Sequence, residues 1–241
     1  MGRIKDIFSA VYWSARVDLR LIGNSGGELQ AKGWARSPIE MSADEVAQIR
    51  HQLSQLAQEE GKEHERRSHD GYEGYDTGMV DIPNLGDLIP KIESLGLVPE
   101  FMSTNKGIVE QAADRKVVRE QLRVYVNVGI TDTRRYHCDS YYDNQYKSFL
   151  YLTDVSDLGH GPYCYIEGSN RPSIRRYLNI VRNAFGKYPV TDAHYCRRES
   201  ETIFLGEAGT AVITNQRGYH RGHPQRPGAR RMMLVHAMWV W

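Results

Sequence analysis

From Arg119 to the last residue the chain breaks into short apolar runs separated by turn-forming residues, and this pattern limits the folds open to it. Side chains alternate across a strand, so residues 122–130, 147–153, 163–166, 202–205, 211–214 and 232–241 each read as a strand. Gly159-His160-Gly161-Pro162, Gly168-Ser169-Asn170 and Gly206-Glu207-Ala208-Gly209 supply the breaks. One helix, over 172–185, interrupts the series, with Ile174, Tyr177, Leu178 and Val181 along one face.

The first half has a different texture. Residues 1–22 place Ile4, Ile7, Phe8 and Val11 at helical spacing, and Gly23-Asn24-Ser25-Gly26-Gly27 makes a turn before a short strand over 28–32. Ser42 and Glu45 fit a capping box that opens a helix carrying Val46, Ile49, Leu53 and Leu56 on its core side. Residues 60–80 are charged and poor in aliphatics, and read as a long loop, either a lid or a solvated segment. Its His64, His69 and Asp70 have metal-ligand types, but no regular element fixes their geometry. Asn84 can cap a second helix, kinked at Pro90, and Asn105 a third that runs to about residue 115. Helices first and many short strands afterwards predict a mainly β jelly-roll barrel with flanking helices. With 241 residues and 40% hydrophobic content, the expectation is one domain, 1–241. Residues 1–118 form a mostly helical layer with an opening strand, and 119–241 the jelly-roll core.

Charge narrows the partners. The 31 basic and 30 acidic residues nearly cancel, so no general electrostatic case exists for nucleic acid or an anionic membrane. No apolar run approaches the roughly 20 residues that a membrane helix needs. Cys138, Cys164 and Cys196 contain no CxxC pair, and their odd number argues against a disulfide framework. Acid appears too early for a secretory signal, so a cytoplasmic location is expected.

Chemistry concentrates in two places. His137-Cys138-Asp139 lies past the middle, and Tyr219-His220-Arg221-Gly222-His223-Pro224 precedes Arg230-Arg231 near the end. With 9 histidines and 30 acids, roughly one His-x-acid triplet arises by chance, so the triplet alone says little. Its context says more. On a strand, His137 and Asp139 share a face and Cys138 points away. His220 follows the strand over 209–214, and Arg230 and Arg231 open the last strand, only one of them able to face inward. Two imidazoles and a carboxylate hold Fe(II) on one side and leave the other side open. A planar guanidinium suits the far carboxylate of 2-oxoglutarate.

The stretches Tyr136–Asp139, Lys147–Val155 and Gly161–Asn170 resemble the phytanoyl-CoA dioxygenase (PhyH-like) family. The pattern matched is HxD, then Leu152-Thr153-Asp154, Gly161-Pro162, a Gly-Ser turn, a distal histidine and an arginine. The chain departs at Asn170, where the family usually has histidine, a position outside the metal triad. The resemblance implies a double-stranded β-helix of cupin-like type and an Fe(II)/2-oxoglutarate-dependent dioxygenase. His137, Asp139 and His220 would be the iron ligands, with His223 the rival to His220. Arg230 would be the 2-oxoglutarate anchor, with Arg231 its close rival. Lys147, Tyr125 and Asn127 are further candidates for contact with cosubstrate or substrate. The expected reaction hydroxylates an unactivated C–H bond of a small metabolite or natural-product intermediate, using O2 and releasing succinate and CO2. Presence of Asp139 argues against halogenation, because halogenating relatives lack that carboxylate. Tyr141, Tyr142 and Tyr146 could wall a pocket, and Arg197, Arg198 and Arg226 could meet an acidic group, although packing and solvation explain them as well. His194 and Cys196 have ligand types but sit in a polar loop. Rival readings are a cupin-type metalloenzyme that does not use 2-oxoglutarate and a jelly-roll binding module without catalysis.

Overall fold

In a computed structural model, the described residues are 2–21, 27–59, 79–82, 97–185 and 191–241. The loop expected over 60–80 and the Asn84/Pro90 helix lie outside them, apart from residues 79–82. Helices α1 (Gly2–Leu21), α2 (Gly27–Lys32), α3 (Ala43–Glu59) and α4 (Leu97–Ala113) dominate the first half, with β1 (Trp34–Arg36) and β2 (Met79–Ile82) among them. Then follow β3 (Val117–Val128), β4 (Gln145–Tyr151), β5 (Tyr163–Ile166), α5 (Ile174–Phe185), β6 (Glu201–Phe204), β7 (Ala211–Asn215), β8 (His220–Gly222) and β9 (Arg230–Val240). All strand pairs are antiparallel. One sheet has six strands in the order β1-β7-β4-β9-β3-β2, and the other has three in the order β6-β5-β8. This is a mainly β, double-stranded β-helix type architecture with flanking helices.

Strand alternation divides the large sheet into two faces with different tasks. Leu122, Val124, Leu150, Met232 and Leu234 turn outward and pack against Val46, Ile49 and Leu53 of α3 and Val98 and Phe101 of α4. Each such fully buried side chain contributes about 1.5–3 kcal/mol. On the other face Phe149, Tyr151, Val212, Met233 and Val235 meet Tyr163, Tyr165 and Phe204 of the small sheet. The capping box at α3 is complete. Ser42 N donates to Glu45 Oε2 at 2.7 Å and Glu45 N donates to Ser42 Oγ at 3.3 Å.

Three local expectations are corrected. Residues 28–32 are helical, not a strand, because Leu29 is buried against α4 and β9 and Gln30 donates to the Ala112 carbonyl at 2.7 Å. Asn105 does not cap a helix. It lies buried within α4, where its amide oxygen accepts from Ser37 Oγ at 2.9 Å. Of the apolar stripe expected on α5, Ile174 (79%), Leu178 and Val181 are exposed and Tyr177 is half-buried. The helix instead buries Ile180 together with Arg176, Asn179 and Asn183. Arg176 donates to the carbonyls of Arg217 and Ser169, Asn179 bonds Tyr195 and Tyr219, and Asn183 Nδ2 donates to the Asp192 carbonyl. Buried loop backbone needs partners, and here that need outweighs the usual preference for apolar burial.

Candidate metal centre

The two histidines are brought together by their own backbones. His137 N donates to the His220 carbonyl at 3.1 Å and His220 N donates to the His137 carbonyl at 2.9 Å. Residues that exchange both bonds stand directly opposite, so their side chains emerge on one side. The rings lie 4.6 Å apart, centroid to centroid. His137 takes part only in isolated bridges, to His220 and Asp192, rather than in a continuous strand. Asp139 is tied by its N–H to the Gln216 carbonyl at 3.1 Å, while Cys138 is buried on the opposite side. Asp139 Oδ1 is 3.9 Å from His137 Nε2 and 3.3 Å from His220 Nε2. One ligand atom from each of the three residues falls within a mutual 4.8 Å.

The imidazole tautomers are set by a repeated device. His137 Nδ1 is 2.9 Å from the Arg135 carbonyl, and His220 Nδ1 is 3.0 Å from the Gly218 carbonyl, each two residues back. A carbonyl only accepts, so each Nδ1 carries a proton, and Nε2 is the ring nitrogen turned toward Asp139. A metal-binding histidine commonly has its other ring nitrogen held by a carbonyl in this way. Burial holds the His137 imidazole well below its ordinary pKa, helped by His220 and Arg134 and opposed by Asp139, so the ring is neutral at pH 7. Burial alone would raise the Asp139 carboxyl. Lys147, His220 and His137 outweigh it and keep that group well below the carboxylate range. Lys147 Nζ lies 2.5 Å from Asp139 Oδ2, leaving Oδ1 toward the imidazoles.

The triad opens on a cavity of about 360 Å³ between the sheets. Arg231, Met233, Ala237 and Trp239 of β9 line it, as do Gln121, Arg123, Tyr125 and Asn127 of β3 and Gln145, Lys147 and Phe149 of β4. Arg231 is 6% exposed and its Nη2 donates to Asn127 Oδ1 at 3.1 Å, across the β3–β9 pair that sets the two residues opposite. Arg230, the anchor named from the family resemblance, is exposed and does not line the cavity. Alternation on β9 puts one of two consecutive side chains on each face, and the inward one is Arg231. His223 lies outside the ligand cluster, its Nδ1 next to the Pro224 carbonyl at 3.0 Å. Tyr141 and Tyr146 are buried elsewhere, and neither they nor Tyr142 line the cavity. Arg226 pairs with Asp157 on the surface, and His194 bonds Asn183.

Several lining residues went unnoticed in the sequence: Gln121, Arg123, Arg134, Gln145, Tyr163 and Trp239. Extending the period-2 register from Tyr125, Lys147 and Arg231 would have found Gln121, Arg123, Gln145 and Trp239. Arg134 carries no such signal. It donates to Asp192 Oδ1 and Thr191 Oγ1, contacts across more than fifty residues that only folding creates.

No protein-family model matches the chain, and no curated protein matches it. Solved structures do share its fold. The nogalamycin-biosynthesis carbocyclase SnoK, a non-heme α-ketoglutarate-dependent enzyme, is 17% identical with a TM-score of 0.61, over 90% of this chain and 83% of that one. The epimerase SnoN, in complex with Fe3+, α-ketoglutarate and nogalamycin RO, is 16% identical with a TM-score of 0.61, over 94% and 84%. EvdO2 from Micromonospora carbonacea var. aurantiaca, complexed with 2-oxoglutarate, is 15% identical with a TM-score of 0.63, over 91% of each chain.

Proposed function

We propose that this chain is an Fe(II)- and 2-oxoglutarate-dependent oxygenase that oxidises an unactivated C–H bond of a small molecule. One observation carries the reading. Two imidazole Nε2 atoms and one carboxylate oxygen converge at the wall of a cavity that also holds a buried guanidinium. The donor set fits the metal. Neutral imidazoles and one carboxylate suit a divalent first-row ion and do not complete its coordination. The similar folds of SnoN, with Fe3+ and α-ketoglutarate, and EvdO2, with 2-oxoglutarate, support the same reading.

In this assignment His137, Asp139 and His220 hold the iron, and Arg231, steadied by Asn127, binds the far carboxylate of 2-oxoglutarate. Lys147 occupies Oδ2 of Asp139, so the carboxylate offers one oxygen to the metal. Phe149, Tyr163, Met233 and Trp239 narrow the cavity and limit water around the reacting carbon. When bound, iron and 2-oxoglutarate supply the oxidising power from O2, with succinate and CO2 as by-products. Within this class, the motif order from His137 to Arg231 supports a PhyH-like placement. The free thiols of Cys138, Cys164 and Cys196 support a cytoplasmic setting.

Anaerobic titration with Fe(II) and 2-oxoglutarate tests the proposal. A weak visible charge-transfer band is expected in the native protein and not in Asp139→Ala or His220→Ala. A native protein that binds iron yet shows no band on adding 2-oxoglutarate would count against the cosubstrate.

A further inference from the structure

Two of the three proposed ligands lean on one buried turn. Gly218 N donates to the Asn215 carbonyl at 3.0 Å and closes it, while Arg217 N donates to Asn215 Oδ1 at 2.9 Å. The Gln216 carbonyl accepts from Asp139 N at 3.1 Å, and the Gly218 carbonyl accepts from His220 Nδ1 at 3.0 Å. A shift of this turn therefore moves both ligand residues together.

Between those two carbonyls, the side chain of Arg217 leaves in another direction. It does not line the cavity, and it is fully buried. Its Nη1 donates to the Tyr141 carbonyl at 3.3 Å, so one guanidinium ties the turn to the segment that carries His137 and Asp139. Its Nη2 donates at 2.5 Å to Asp18 Oδ1 of α1, a residue 199 positions away. Asp18 Oδ2 accepts from the Tyr177 hydroxyl at 2.8 Å, which fixes the carboxylate between α1 and α5. Asp18 itself is 3% exposed.

Charge makes this tie hard to replace. Arg176 is also fully buried, and its Nη1 donates to the Arg217 carbonyl at 3.0 Å. Two guanidiniums thus lie out of water, and Asp18 pairs with the one on the turn. A buried cation that loses its partner is driven toward solvent, and Arg217 would take the turn with it.

We propose that Asp18, on the first helix, is a positioning residue for the metal centre: by holding Arg217 it sets the turn and the loop from which His220 and Asp139 present their ligand atoms. This rests on the reading of His137, Asp139 and His220 as metal ligands.

Nickel affinity is measured by calorimetry, and the visible absorption of cobalt-loaded protein reports the ligand geometry. Circular dichroism confirms that each variant is folded at the temperature used. Asp18→Asn should weaken nickel binding about tenfold and shift the cobalt bands, as loss of a group behind the ligands does. The double variant Asp18→Leu/Arg217→Met removes the cation with its partner. It should melt above Asp18→Asn yet bind nickel as weakly, and it decides the question if Asp18→Asn does not fold. Ala10→Gly loosens the same helix roughly two turns from Asp18. It should lower the melting temperature by about 2–4 °C and leave nickel affinity and the cobalt bands unchanged. Native affinity and bands in Asp18→Asn or in the double variant overturn the inference. So does equal weakening in Ala10→Gly, which would make the packing of α1 the cause. Failure of both Asp18 variants to fold overturns it too, since the pair would then hold the whole fold and not the centre. Native protein that binds neither metal strikes the metal-ligand reading instead, so the two can fail separately.

Discussion

Lys147 and Asp139 form an ion pair at the wall of the cavity, Nζ to Oδ2 2.5 Å, on side chains 15% and 22% exposed. The pair links the large sheet to the loop that carries two of the three proposed ligands. In protein without metal, the ammonium is the main positive charge beside a carboxylate that burial would otherwise disfavour.

Lys147→Met should therefore destabilise the metal-free protein by about 1–3 kcal/mol, less than a fully buried pair because both groups retain some solvent. Bound nickel supplies the missing positive charge, so the loss should shrink in the loaded protein. Thermal melts of both forms decide this; equal losses with and without nickel would contradict the clamp.

Arg231 and Arg230 differ by one residue and should differ sharply in effect. Arg231→Met is expected to raise the KM for 2-oxoglutarate about 10- to 100-fold, corresponding to about 1.4–3 kcal/mol for charge-assisted bonds to a carboxylate. Arg230→Met should leave it unchanged. Succinate formation at varied 2-oxoglutarate measures both, and the reverse pattern would restore Arg230 as the anchor.

Acid should weaken the metal-free fold through His137. Its folded pKa is depressed, so the unfolded chain binds more protons once pH falls below about 6.5. The stability that His137 contributes is full above that pH and is lost downward toward the folded pKa, by at most about 1.4 kcal/mol per pH unit. His194 and His236 are depressed by burial too, so the His137 share is a difference. Urea midpoints of native and His137→Gln protein between pH 7 and 5 give it. Parallel curves would show that His137 titrates normally.

Gly218 is packed against a tyrosine. A Cβ there would overlap the Tyr165 hydroxyl, which is also pressed against Gly33 and donates to the Asn215 carbonyl at 2.8 Å. Because the Gly218 carbonyl also orients His220, Gly218→Ala should cost about 1–3 kcal/mol and weaken nickel binding. Adding Tyr165→Leu removes both overlapping atoms, the hydroxyl and the ring Cζ, and should recover part of the nickel-binding loss. Calorimetric nickel titration and melts of the single and double variants test the coupling.

Much of the architecture was legible because alternation and capping are local. The edges of β5 and the Ser42–Glu45 box follow from neighbouring residues alone. So does the rule that only one of Arg230 and Arg231 can face inward. Alternation without register could not say which one. The pairing Asn127 with Arg231 made that choice, across more than a hundred residues. The α5 face was misjudged for a related reason. Apolar spacing reports what a helix could bury, whereas the loops at 191–195 and 217–219 required amides and a guanidinium instead. Residue types, and which of them share a strand face, are written locally in the chain, since they depend on geometry a few residues long. Only the folded chain brings His137 and His220 into a reciprocal backbone pair, lets Lys147 reach Asp139 and sets Arg231 against Asn127. Those relations rest on strand register and long-range packing, which no local pattern contains.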